Sequence, residues 1–199
     1  MEKTFTVQQN LELLGRYRYV EIQFMELMAG WAHTMVDAEI KIGFGRHMFQ
    51  DSVHADLLGK RIPELKGRSQ HFHSIPPSDE FVKLLEKVWK EPDELLRMVG
   101  LHRILKPEIV RAYRRHLNHL ELPADEPTGY ILALIADEER DHIEWGVKTI
   151  NRLLSETHRT DEIDTWEQSL SKELEESGGI WGEGKNSSFF VQGDGDSYG

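Results

Sequence analysis

The chain is predicted to be all-α: a four-helix bundle of two helical hairpins joined by a long crossover, with a short extra helix and a loose C-terminal tail. Three observations predict it. Apolar residues recur at helical spacing over long proline-free stretches, as at Leu14, Tyr17, Phe24, Met28 and Trp31. No segment reads convincingly as a strand, and none repeats at a solenoid period. Prolines fall between the long helical runs, at Pro63, Pro76-Pro77, Pro92 and Pro123, with Pro107 as the exception.

The first helix is expected from Leu11 to about Met35. A tight turn near Thr34–Asp37 should follow, because one helix through the whole region would be unusually long. The second helix runs roughly from Asp37 to Ile62, with Thr34 or Asp37 as its cap and Pro63 as its stop. Glu64 to Pro77 reads as loop, and Ser78-Asp79-Glu80 opens a short helix of about Asp79 to Lys90. Pro92-Asp93-Glu94 begins a stretch reaching about Leu120, which must pass Pro107 by a kink or a fresh start. After the two-proline turn Leu122–Pro127, Thr128 to about Thr157 is the cleanest amphipathic helix in the sequence. These segments make residues 1–160 the bundle. Residues 161–199 hold an acidic helix, Trp166 to Glu176, and a glycine-rich tail from Gly178 expected to hang loose.

Composition narrows the chemistry. The 199 residues contain no cysteine, which removes disulfides, thiolate metal sites, iron–sulfur ligation and cysteine nucleophiles. With 24 Lys+Arg against 35 Asp+Glu the net charge is −11, a poor basis for capturing nucleic acid or anionic lipid. No apolar stretch reaches the length of a membrane span, and MEKTFTVQQN lacks a signal-peptide core, so a cytoplasmic protein without membrane partners is expected. Ten histidines stand beside the 35 carboxylates, and those two side chains together bind iron, manganese and zinc.

Two short sequences concentrate them. Asp51-Ser-Val-His54 lies in the second helix and Glu139-Arg-Asp-His142 in the last long one. A carboxylate and an imidazole at i and i+3 emerge from one helix face and reach a common ion. Each pair sits on the apolar stripe of its helix, where an unpartnered carboxylate costs several kcal/mol. Bundles that hold two iron or manganese ions use two such acid-x-x-His helices and one acid from each of the other two. Folding the first hairpin about residue 36 sets Glu21 level with Asp51, on the Tyr17–Phe24–Met28 stripe. Glu26 is the rival, which would need a turn inside the second helix. Folding the second hairpin about Pro123–Ala124 sets Glu108 level with Glu139, and His102, on the Val99–Ile109–Tyr113 stripe, competes for that third-helix role. His47, one turn before Asp51, reads as a satisfied core histidine or a donor orienting the carboxylate. Glu138 reads as an outer neighbour of the site, and Arg114-Arg115-His116 as solvent-facing.

These segments carry a resemblance. GRHMFQDSVHADLLGKRIPEL (Gly45–Leu65) and YILALIADEERDHIEWG (Tyr130–Gly146), with DEPT (Asp125–Thr128) ahead of the latter, resemble the ferritin-like superfamily, in particular the uncharacterised ferritin-like family often labelled DUF455. The likeness runs from about Leu11 to Leu154. It implies a ferritin-like bundle binding two metal ions, Fe or Fe/Mn, through Glu21, Asp51, His54, Glu108, Glu139 and His142. The second helix offers Asp51 where the family usually has Glu, and the third shows no unambiguous Glu.

The expected function is a non-haem dimetal carboxylate oxidoreductase that activates dioxygen to oxidise a small molecule. Tyr17, Phe24 and Phe44 would line the centre and exclude water. Without cysteine no thiolate electron-transfer module is built in, so an external electron donor is implied; a homodimer is compatible with this reading. Metal storage or peroxide detoxification is the first alternative, and a metal-free helical binding module the second.

Overall fold

A computed structural model describes residues 4–66 and 70–182 of the chain. It is helical throughout, with no strand among the described residues. Helix α1 spans Val7–Ala32 and α2 spans Ala38–Glu64; a short 3-10 turn, Gln70–Phe72, precedes α3 (Asp79–Lys90). Helix α4 (Glu94–Val99) continues through a π-helical segment, Gly100–Leu105, into α5 (Lys106–Leu117). Helices α6 (Glu126–Thr157) and α7 (Thr160–Ser177) follow, the last helices among the described residues.

The first hairpin is built from its caps. Thr6 and Gln9 form a reciprocal capping box at the start of α1. After the turn, Asp37 Oδ1 accepts from the backbone N–H groups of Glu39 (2.8 Å) and Ile40 (3.3 Å), so Asp37 rather than Thr34 starts α2. Pro63 sits inside the last turn of α2 and the helix ends one residue beyond it. Helix α1 buries one side, with Leu13, Leu14, Tyr17, Val20, Phe24 and Met28 all wholly buried. It packs along α2, while α5 packs along α6 and α2 meets α6, closing a bundle around a single core.

The chain passes Pro107 as a fresh start: Pro107 lies in the first turn of α5, directly after the π-helical segment. Helical backbone runs on from Glu94 to Leu117, and the N–H of Lys106 bonds to the carbonyl of Leu101, five residues back. Proline lacks an N–H, and its ring collides with the carbonyl four residues earlier in a regular helix. A wider turn directly ahead of it lets the helix continue.

Helix α7 packs on α3 and on the π segment, and it contributes Ile163, Leu170 and Leu174 to the same core as the bundle. The start of the expected loose tail is instead docked. Gly178 (φ 76°) and Gly179 (φ 63°) take left-handed backbone that favours glycine and turn the chain back. Ile180 and Trp181 are then buried, and Trp181 Nε1 donates to Tyr17 Oη at 3.1 Å. Residues 183–199, with the rest of the glycine-rich tail, lie outside the described residues. No described helix is long and apolar enough to cross a membrane.

Candidate metal centre

Three helices deliver five expected side chains to one interior point. Helix α1 supplies Glu21, α2 supplies Asp51 and His54, and α6 supplies Glu139 and His142; none is more than 1% exposed. The Asp37 cap fixes the register of the first hairpin, which sets Glu21 opposite the Asp51–His54 turn. Glu26 is exposed and accepts instead from Gln23. One ligand atom from each of Glu21, Asp51, His54 and Glu139 lies within 4.8 Å of the others, a spacing that could hold a metal ion.

The cluster has two lobes that share Glu139. In the first, His54 Nδ1 lies 3.3 Å from Glu21 Oε2 and 3.6 Å from Glu139 Oε1, while its Nε2 meets the half-exposed Glu138 at 2.7 Å. Tyr113, from α5, donates its hydroxyl to Glu21 Oε1 at 2.5 Å. In the second, His142 Nδ1 lies 3.1 Å from Glu139 Oε1 and 3.4 Å from Asp51 Oδ1, and its Nε2 meets Gln50 Oε1 at 2.9 Å. Each imidazole therefore turns Nδ1 to the centre and secures Nε2 on an acceptor outside it. Such an outer contact fixes ring orientation at metal sites.

The second lobe also holds a residue the sequence reading did not single out. Lys106, wholly buried, places Nζ 3.1 and 3.3 Å from the two oxygens of Asp51 and 2.8 and 2.9 Å from those of Glu139. Its Nζ is also 3.2 Å from His142 Nδ1 and 4.7 Å from the centre of the Phe24 ring. A signal for it existed. Lys106 follows His102 by four residues and precedes Tyr113 by seven, which puts it on the inward stripe of its helix.

Electrostatics follow from this packing. Burial opposes charge on Lys106, but Asp51, Glu139 and Glu21 outweigh it and raise its pKa, so the ammonium stays charged. Burial also resists the ionisation of Glu139, yet Lys106 and the two imidazoles hold its carboxyl well below the ordinary range. Asp51 moves the other way: burial lifts it to about 7 against the pull of Lys106. His54 overcomes burial through Glu21 and Glu139 and is pushed up to about 11. His142 is raised as well, because its bonds to Asp51 and Glu139 outweigh burial and the nearby ammonium. Tyr113, buried beside Glu21, is held firmly as the neutral phenol.

Two expected residues are not brought to the centre. Glu108 lies on the far side of α5, where Oε1 accepts from the Ile180 N–H at 3.1 Å and Oε2 pairs with Arg111 at 2.9 Å. The expectation that it is the third-helix ligand is corrected. Two residues after Lys106 is roughly 200° round a helix, so the two side chains cannot share a face. His102 is buried but apart, bonding through Nδ1 to the Met98 carbonyl at 3.2 Å and packing among Phe44, His47 and Trp145. Gly146 makes this possible, since a Cβ there would sit 2.1 Å from the His102 ring. His47 neither donates to Asp51 nor is satisfied at Nδ1; it stacks on the His142 ring at 4.0 Å, and burial pushes its pKa down to about 2. His116, expected at the surface, is wholly buried and meets Asn10 Oδ1 at 2.6 Å.

The donor set fits one metal ion: three carboxylates and an imidazole that turns Nδ1 inward, and would give up its proton there to the ion, suit first-row divalent ions. It does not fit a second ion beside the first as the side chains stand, because Lys106 Nζ fills the space between Asp51, Glu139 and His142. No family model, no curated protein and no solved structure matches the chain.

Proposed function

We propose that this chain is a ferritin-like, metal-dependent oxidoreductase of the cytoplasm that uses iron or manganese and dioxygen to oxidise a small molecule. The observation that carries the reading is the convergence of Glu21, Asp51, His54 and Glu139 from three helices to within 4.8 Å in a fully buried place. Gathering that many acids away from water is costly unless a cation neutralises them.

When bound, the metal would supply Lewis acidity and redox electrons to dioxygen. The remaining work belongs to the chain. Glu21, Asp51 and Glu139 would ligate and balance charge, and His54 would ligate through Nδ1 while Glu138 holds its Nε2. His142 is held in the same way by Gln50. Phe24, Phe44 and Tyr17, all wholly buried, keep water out. Insertion of one oxygen atom into a substrate with reduction of the other to water consumes two electrons. Those must come from an external donor, because the chain has no cysteine with which to build a thiolate relay.

Elemental analysis after anaerobic iron loading, followed by absorption spectra and dioxygen uptake on exposure to air, tests the reading. Bound iron and substrate-dependent dioxygen consumption that disappear in the H54A/H142A protein are expected. Absence of bound metal would favour the second reading, a metal-free helical module in which the Lys106 ammonium neutralises the carboxylates.

A further inference from the structure

We infer that Lys106 is a built-in cation occupying one of two cation positions in this cluster, so that the protein takes up a single divalent ion, on the Glu21–His54 side. The inference rests on the reading that the cluster binds metal, and it goes beyond it by fixing how many ions bind and which residue decides.

Geometry supports it first. Lys106 Nζ lies within 3.3 Å of all four oxygens of Asp51 and Glu139 and 3.2 Å from His142 Nδ1, so it stands amid the donors that a second ion would need. Among the described residues no lysine or arginine bonds Glu21: it faces His54 at 3.3 Å and is closed by the Tyr113 hydroxyl. Asp51 and Glu139 each have two oxygens and can serve the ammonium and one ion together.

Charge supports it second. Glu21, Asp51 and Glu139 carry three negative charges when ionised. One divalent ion and one ammonium cancel them with both imidazoles neutral, as ligation requires. A second divalent ion beside the ammonium would bring the buried cluster to +2, which burial opposes, whereas two ions without the ammonium leave only half that excess.

The placement of Lys106 is a property of the fold. The π segment Gly100–Leu105 leads directly into α5 ahead of Pro107, and the side chain that follows it turns inward under Phe24. Lys106 is wholly buried and has no exposed stem along which to swing toward solvent.

The test counts ions. The full chain and its Lys106→Ala and Lys106→Met variants are loaded anaerobically with Mn(II), desalted and analysed for metal per chain. One ion is expected in the parent, two in K106A, where the ammonium is gone and the space is open, and one in K106M, where an apolar stem still fills it. Two ions in the parent, or two in K106M, overturn the inference and leave metal binding standing; no ion in the parent overturns both. Equal stoichiometry in the parent and K106A also overturns it. Should K106A fail to fold by circular dichroism, anomalous diffraction from parent crystals grown with Mn(II) decides. One peak on the Glu21–His54 side, with Lys106 still on Asp51 and Glu139, is the expected result, and two peaks overturn the inference.

Discussion

The two lobes of the cluster start from the same local device, an acid and a histidine three residues apart on an α-helix, and they solve the cost of burial differently. Around Asp51 and His142 a lysine from the third helix supplies the positive charge directly. Around Glu21 and His54 no lysine or arginine among the described residues bonds Glu21; the imidazole itself is driven to carry a proton, and a tyrosine hydroxyl completes the carboxylate. An imidazole proton can be exchanged for a metal ion, whereas an ammonium on a buried helix cannot leave. The difference teaches that an acid-x-x-His motif specifies a need for positive charge and leaves its source to the neighbouring helices.

The largest expected effect breaks the lysine lobe. Lys106→Met leaves Asp51 and Glu139 buried without their cation and should cost about 3–5 kcal/mol in metal-free protein, read from urea unfolding. Adding Asp51→Asn to it should recover part of that loss, because the two side chains are in contact. A loss under 1 kcal/mol for K106M would mean that the second lobe does not depend on the ammonium.

Titration sharpens the contrast between imidazoles that meet carboxylates and those that do not. His54, pushed up to about 11, adds stability that is complete below its unfolded value near 6.5 and fades as pH rises through about 11. His116, pushed down to about 3 by burial and by His119, behaves oppositely. Below about pH 6.5 the unfolded chain binds a proton there that the folded chain refuses. His116 alone should therefore remove about 2 kcal/mol of stability between pH 6.5 and 5. Urea midpoints across that range should fall, and His116→Gln should flatten the slope. An NMR signal from His116 that titrates near pH 6.5 in the folded protein would contradict this.

In the other lobe, Tyr113→Phe removes the hydroxyl bonded to Glu21 and should cost about 1.5–3 kcal/mol, as for a hydrogen bond to a charged group. Its effect should be smaller than that of K106M, and a reversal of that order would invert the contrast between the lobes.

Smaller still, two helical glycines separate crowding from propensity. Gly146→Ala drives a methyl into the His102 ring and should lose about 1–3 kcal/mol. Gly45→Ala meets nothing within 4 Å and should gain about 0.5–1 kcal/mol, both read from thermal or urea midpoints.

Much of this was legible in the primary structure. Asp37 as a cap, the turn before it and the Tyr17–Glu21–Phe24–Met28 stripe together placed Glu21 at the height of Asp51, and the two turns do face each other. His54, Glu139 and His142 were legible for the same reason: each lies on the apolar side of a long regular helix, so spacing alone aimed it inward. Glu108 was misplaced because matching heights across a hairpin says how far along a helix a residue lies, not which way it faces. Lys106 and His116 sat on the inward stripe of that helix, but Lys106 was not singled out and His116 was read as solvent-facing with the two arginines before it. Ile180 and Trp181 were hidden behind glycines whose left-handed turn brings the chain back onto Tyr17.

The order of residues alone determined an all-helical chain, its first hairpin and the two acid–histidine turns, because helical periodicity, capping and proline act over a few neighbours. Only the tertiary structure decided what neutralises the buried acids. That choice depends on whichever distant side chain reaches them, and a residue 33 positions from Glu139 and 55 from Asp51 did so. Local rules fix the direction of a side chain on its own helix, while the charge it meets is set by packing between helices.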